Sequence, residues 1–413
     1  MCRIAGIIAE TGEEDIANQL ILAQAAQNYA GEKSCGIAIQ CEGKISYVRG
    51  RGVVSSVFGH FESKDYIGKL GIAHNSCKTG GMQPIVVRDG KRQFAFCADA
   101  TLRVTRRIIS IIDCRQDLEE AVSEVLHEVE DPFALLVLSN NSIIAARNSG
   151  RKPLSFGRLH GDIQGYYIAS QSGVMGPGAE FLHSLFPGEM LVIRNGTMQR
   201  RAILSRPDIT RCINELLFMQ RPGNKCGGRE VSSIQESIGE KLGLLFNEHV
   251  RSKGWKKTDF IATQIPAGGL HYLIGFGKSS GIAIDPGAIV KNRYPRPGWV
   301  PSNFDFAAVR SIVEQRQVVL VDDLILSGHK MKKIAQICVS NGAKSVHGVT
   351  TRTINHPCPY GNGSYVDKDL IGRKPHSVIE KKLGLASLTF LSTEQLIEAI
   401  GCPHRIYCVK CLM

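Results

Sequence analysis

Long apolar runs, sequence repeats and acidic residues are what this chain is short of, and each shortage excludes something. No apolar stretch approaches the ~20 residues that a membrane-spanning helix needs, so a helical membrane protein is not expected. The opening MCRIAGIIAETGEED lacks the longer apolar core and small-residue cleavage site of a secretory signal and turns acidic at once. A cytoplasmic protein is therefore expected. Neither an internal repeat nor a low-complexity segment is present, which sets aside solenoids and disordered tails. Acidic residues are outnumbered, 38 against 50 Lys and Arg, leaving a net charge of +12. That excess attracts anions, either a small-molecule phosphate or nucleic acid, and charge alone does not choose between them. Cysteine is not scarce, but 13 is an odd number, and the residues are scattered through a long chain. This argues for thiols or metal ligands and against a disulfide scaffold.

What is present is core-forming material, 43% hydrophobic residues against 21% charged, so disorder is excluded for most of the chain. With about 150 residues per domain, 413 residues suggest two or three domains. The first half alternates short β-rich runs and turns with few helices, at Gly36–Gln40, Gly71–His74, Phe133–Leu138, Ser142–Ala146, Tyr166–Ala169 and Met190–Arg194. Helical spacing occurs at Asp15–Gln27 and Asp117–Glu128. This pattern predicts an α+β sandwich. Beyond about Arg206 strands alternate with longer helices, the signature of a parallel sheet. Helices are expected at Ser232–Val250 and Phe304–Glu314, and a strand at Asp259–Ile265. The clearest unit runs from Gln317 to Thr351: a strand ending in Asp322-Asp323, a turn with Ser327-Gly328, a helix, an Asn-Gly turn and another strand. The boundary falls near 200–212, giving domains 1–205 and 206–413.

Three features bear on chemistry. Removal of Met1 would leave Cys2 as the first residue, with an α-amine of pKa near ~8 beside its thiol as a base. The bland alternative is a cysteine that merely lies near the start. Asp322-Asp323 ends a strand of a parallel sheet, where ligands sit, although such pairs also cap helices. Cys408 and Cys411 form a C-x₂-C pair that suits a metal site, a redox pair or unrelated thiols.

Further strings join these in collinear order: GEKSCGIAI (31–39), GIAHNSCKTGGMQP (71–84), the segment 133–157, YYIASQSG (166–173), FPGEMLVI (186–193), CINELLFMQRP (212–222), VVLVDD (318–323) and HPCPYG (356–361). Over nearly the whole chain this resembles the glutamine phosphoribosylpyrophosphate amidotransferases, the amidophosphoribosyltransferases of purine synthesis. The resemblance implies an N-terminal-nucleophile glutaminase sandwich followed by a type I phosphoribosyltransferase-like α/β domain. In that family the cysteine, here Cys2, releases ammonia from glutamine, and the ammonia displaces pyrophosphate from phosphoribosyl pyrophosphate. It also implies a phosphoribosyl site at Asp322, Asp323, Ser327, Gly328 and Lys330, with a magnesium ion at the acidic pair, and a closing loop KNRY, Lys291, Asn292, Arg293 and Tyr294. Members with a 4Fe–4S cluster ligate it by cysteines in the contexts of Cys212, Cys358, Cys408 and Cys411. A Cys₄ zinc site fits the same residues chemically. A homo-oligomer is implied; membrane and nucleic-acid partners are not expected.

The chain departs from the family at both sites. Ser76 stands where the family has an arginine that pairs with the substrate carboxylate, and a hydroxyl cannot form that bidentate pair. Asp99-Ala100 replaces the Asn-Gly of the oxyanion hole, setting an acceptor where a donor is needed. Ala30 replaces an arginine, and the stretch between Leu102 and Ala134 is shortened, apparently losing an acidic residue that binds the substrate's amino group. Lys78 offers one substitute positive charge. In the second domain, VDDLILSGHK puts His329 and Lys330 where two threonines belong, and Ile265–Gly269 reads IPAGG where VPDSG is usual. These losses predict weak ordinary glutaminase activity in an amidophosphoribosyltransferase-like enzyme. The alternative is a catalytically lapsed paralogue serving as an iron–sulfur scaffold or regulator.

Overall fold

The computed structural model describes all residues except 1, 11–14, 28–32, 77–80, 90–91, 177, 205–210, 227, 292–305, 360–369 and 402–405. It separates into two compact units. The first comprises Met1–Glu215 with Asn224–Gly228, and the second Leu216–Gly223 with Arg229–Met413.

In the first unit a seven-stranded antiparallel sheet has the spatial order Ala179–Ser184, Ser155–His160, Gln164–Ala169, Arg3–Ala9, Leu70–Ser76, Ser34–Cys41, Lys44–Arg51. A six-stranded sheet runs Thr197–Ala202, Glu189–Arg194, Ser142–Arg147, Ala134–Leu138, Arg92–Asp99, Ile85–Asp89. Strand alternation explains how they stack. Ile4 and Ile8 of the first sheet meet Leu136, Leu138 and Ile143 of the second in one buried cluster. Their neighbours point the other way: Ala5 and Ile7 pack with Ile16 and Leu20 of the helix Ile16–Gln27. Leu135 and Val137 pack with Ile108 and Val122 of the helices Leu102–Asp113 and Leu118–Glu128. The result is a four-layer sandwich, helix, sheet, sheet, helix. Both faces of the central strands are covered, so Ala134–Leu138 reads ALLVL without a polar residue.

The second unit has a four-stranded sheet ordered Phe260–Gln264, Gln317–Asp322, Ser345–Thr350, Ser387–Phe390, parallel throughout. The helices Val231–Ser252 and Leu270–Ser280 lie against each other at glycines. A Cβ on Gly239 would fall 2.2 Å from the Tyr272 carbonyl oxygen, and one on Gly275 2.0 Å from that of Glu236. One expectation fails: Phe304–Glu314 is not a single helix. Within its described part, Phe306–Ala308 is a strand paired antiparallel with Ile289–Lys291, and only Arg310–Val313 is helical. Phe306 and Ala308 pack on the sheet core at a spacing of two, which is strand periodicity.

Candidate functional site

Cys2 precedes the central strand Arg3–Ala9 and is 5% exposed. That strand pairs antiparallel with Leu70–Ser76 in the register Arg3 to Asn75, which sets Ser76 opposite Cys2. The thiol Sγ lies 3.7 Å from Ser76 Oγ. Asp99 ends the strand Arg92–Asp99, and Thr101 two residues on caps the following helix through the Val104 N–H. This sharp strand-to-helix passage fixes the Asp99 side chain beside Cys2. Its Oδ1 accepts the Cys2 N–H at 3.2 Å and a 2.5 Å bond from Lys152 Nζ. Its Oδ2 is buried and has no hydrogen-bond partner among the described residues. Two residues that depart from the family pattern, Ser76 and Asp99, thus touch Cys2, and Lys152 bonds to Asp99. Lys152 was not singled out in the sequence, where it is one basic residue of NSGRKPL. Lys78 and Ala30 lie outside the described residues.

The same unit holds a buried ion pair, Arg147 Nη2 to Glu215 Oε1 at 3.0 Å, with side chains 1% and 3% exposed. Burial pushes the Arg147 guanidinium down and the Glu215 carboxyl up, against their mutual attraction. Arg211 donates to Cys226 Sγ and to the Ser184 carbonyl, so this cluster ties the segments 211–215 and 224–228 to the sandwich.

In the second unit the strand Gln317–Asp322 delivers Asp322-Asp323 to the carboxyl end of the parallel sheet. The chain then passes Ser327 and Gly328 into the helix His329–Ser340. Gly328 has φ 76°, which favours glycine, and a Cβ there would meet the tip of Leu383 at 2.4 Å, so that side chain would have to shift. Ser327 Oγ accepts the His329 N–H at 3.4 Å. Lys330 Nζ donates to Asp322 Oδ1 at 3.0 Å. Asp323 Oδ1 accepts the Leu324 N–H at 2.6 Å, and its carbonyl accepts from the Thr351 hydroxyl and N–H. Burial, then the adjacent Asp323 carboxylate, pushes Asp322 above the ordinary carboxylate range, while Lys330 pulls it back. Ala267 has φ 80°, an uncommon conformation for a residue with a Cβ, beside Gly268, which abuts Asp323. The structure therefore brings together Asp322, Asp323, Ser327, Gly328 and Lys330. Lys291 is exposed at the end of a short strand, and Asn292, Arg293 and Tyr294 lie outside the described residues.

The cysteines expected as cluster ligands are free of disulfides: Cys212 and Cys411 are buried, Cys358 and Cys408 partly exposed. The Cys411 carbonyl accepts the N–H groups of Asn355 and His356, and the Leu412 carbonyl accepts from Arg352 and Asn355. The C-x₂-C segment is thus fastened to the residues just before Cys358. Among the described residues, no group of three or more His, Cys, Asp or Glu side chains stands ready to hold a metal ion. No described helix is long and apolar enough to cross a membrane.

These features define a class, an N-terminal-nucleophile sandwich followed by a type I phosphoribosyltransferase-like domain. No family model matches the chain. It is 27% identical over 470 residues to the amidophosphoribosyltransferase of Methanocaldococcus jannaschii, covering 100% of this chain and 96% of that one. It is 25% identical over 444 residues to that of Bacillus subtilis, covering 96% and 89%. Its fold matches the solved glutamine phosphoribosylpyrophosphate amidotransferase from B. subtilis complexed with ADP and GMP, with a TM-score of 0.85 at 23% identity. That match covers 100% of this chain and 96% of the other. Over its full length the chain is thus similar to the glutamine phosphoribosylpyrophosphate amidotransferases, at low identity.

Proposed function

We propose that this protein is an amidophosphoribosyltransferase-like enzyme whose own glutamine hydrolysis is impaired. The observation that carries the second part is the buried Asp99 carboxylate on the Cys2 N–H. An N-terminal thiol is activated by a neutral α-amine acting as base. Removal of Met1 would leave that amine beside Asp99, where a charge-assisted bond favours the ammonium form. The carboxylate also stands where negative charge develops on the attacked amide, and Lys152 offsets only part of it. Loss of a single oxyanion donor costs about 10²–10³ in rate. Ser76, in contact with the thiol, offers a hydroxyl where a carboxylate-binding guanidinium is needed.

The transferase half of the proposal rests on the whole-length kinship and on the Asp322–Lys330 arrangement. The acidic pair would receive ribose hydroxyls, and the N–H groups opening the helix His329–Ser340 would receive a phosphate. Ammonia release from glutamine, measured beside the B. subtilis enzyme, tests the first half. The expected rate is at least ~100-fold lower; equal, saturable release abolished by Cys2→Ala would refute it. Calorimetry with phosphoribosyl pyrophosphate on the wild type and Asp323→Asn tests the second. Equal binding by both would move the site elsewhere.

We further propose that Cys212, Cys358, Cys408 and Cys411 ligate a 4Fe–4S cluster. Four reduced thiols suit its tetrahedral iron corners, and the fastening of Cys411 to residues 355–356 supports the set. The cluster would add binding free energy to folding. Anaerobic protein should carry about four iron and four sulfide per chain. One zinc without acid-labile sulfide would refute the assignment.

A further inference from the structure

We propose that Lys330 takes the place of a divalent cation at the acidic pair, so that this site binds its phosphoribosyl ligand without magnesium. The inference rests on the phosphoribosyl reading above, but its test does not depend on it.

One oxygen of each carboxylate is already engaged. Asp322 Oδ1 holds the Lys330 ammonium at 3.0 Å. Asp323 Oδ1 holds the Leu324 N–H at 2.6 Å. Asp323 Oδ2 faces Gly268, where an added Cβ would sit 2.5 Å away. Magnesium demands near-octahedral oxygen coordination at about 2.0–2.1 Å. To bind both carboxylates through these oxygens it would have to displace an ammonium of like charge from Asp322 and an N–H from Asp323. The residues present therefore do not fit the ion.

The position of Lys330 is itself informative. It lies in the first turn of the helix His329–Ser340, where the helix dipole disfavours a cation. Two adjacent carboxylates at the end of Gln317–Asp322 supply the compensation, because they would otherwise repel each other in a partly dry site. The lysine cancels one of the two formal carboxyl charges, and burial works against ionisation of both besides. The ammonium also stands at the helix end expected to receive phosphate, where a lysine acts as a point charge. One side chain then does what the metal does elsewhere, neutralising the acidic pair and attracting the anion. Its flexible stem can serve both partners.

The test uses Mn²⁺ as the probe, followed by water-proton relaxation on the full chain, with ribose 5-phosphate calorimetry alongside. Wild type should show no saturable Mn²⁺ site. Lys330→Thr and Lys330→Gln should gain one, and adding Asp322→Asn should remove it; circular dichroism confirms that each variant is folded. Ribose 5-phosphate affinity of the wild type should change less than about twofold between EDTA and excess magnesium, a difference under ~0.5 kcal/mol. A wild-type Mn²⁺ site abolished by Asp322→Asn would overturn the inference. So would failure of both Lys330 variants to gain a site, or a tenfold magnesium dependence in the wild type. Absence of any sugar-phosphate binding would count against the phosphoribosyl reading alone, and the Mn²⁺ result would still decide the role of Lys330.

Discussion

Lys152→Met is the substitution that most directly probes the rebuilt Cys2 site. Asp99 is 1% exposed, and two hydrogen bonds hold its Oδ1, from Lys152 at 2.5 Å and from the Cys2 N–H at 3.2 Å. Removing the lysine leaves a buried carboxylate with one donor. Deleting one partner of a buried pair costs about 3–5 kcal/mol. The Lys152 side chain is 17% exposed, and the Cys2 N–H remains, so the lower end applies, about 3 kcal/mol. At about 2–4 °C per kcal/mol for a unit of this size, melting should fall by roughly 6–12 °C. Tryptophan fluorescence is not the readout of choice, because the first unit's sequence, Met1–Glu215 with Asn224–Gly228, contains no tryptophan. Calorimetry reports the loss, as does amide exchange along Arg92–Asp99. The double variant Asp99→Asn/Lys152→Met carries neither charge and should recover most of the loss. A cost below ~1 kcal/mol for Lys152→Met would show that the pair is as weak as a surface bridge. A double variant no better than the single would show that the charge is not what matters.

Three further predictions concern the second unit. His347 is fully buried between Ser345, Gln317 and Ser387, and burial lowers its pKa from 6.5 to about 4. Its neutral form therefore contributes stability that is present above about pH 6.5 and lost as pH falls through 4. The loss is at most ~3 kcal/mol. Trp255, whose ring centroid is 5.0 Å from that of His347, follows denaturant unfolding at pH 7 and pH 4. His347→Gln should flatten the difference, and an unchanged difference would refute the assignment. Gly275→Ala drives a methyl into the Glu236 carbonyl and should cost about 3 kcal/mol or more. Gly223→Ala, with open space around it, is the neutral control in the same denaturation series. Gly328→Ala should lose about 1–2 kcal/mol to backbone strain, and Leu383→Ala added to it should relieve the clash but not the strain.

The parallel unit was readable because its signals are local. An apolar run, an acidic pair, a glycine turn and an Asn-Gly turn follow one another within Gln317–Thr351, and each has a conformational reason to be there. The segment at 304–314 was misread because three residues of strand and four of helix are too short for periodicity to separate. Contacts of the Cys2 site were only half legible. Ser76 and Asp99 stood out by departing from a known pattern, but nothing local announces Lys152, 53 residues from Asp99. Likewise the engagement of Lys330 with Asp322 depends on how the turn folds back, which spacing alone does not reveal.

The chain changes unit after Glu215, after Gly223 and again after Gly228. Shuffling these two modules, by gene fission or by fusing one to a different companion, therefore cannot succeed with a single breakpoint. A fragment ending at 205 would leave behind Arg211, Glu215 and Asn224, which bond within the sandwich to Ser184, Arg147 and Gly173. A fragment beginning at Arg229 would lack Leu216 and Leu217, whose carbonyls accept from Gln235 and Tyr272. Neither unit is encoded by one continuous stretch of sequence, so each has to be cut out in two pieces.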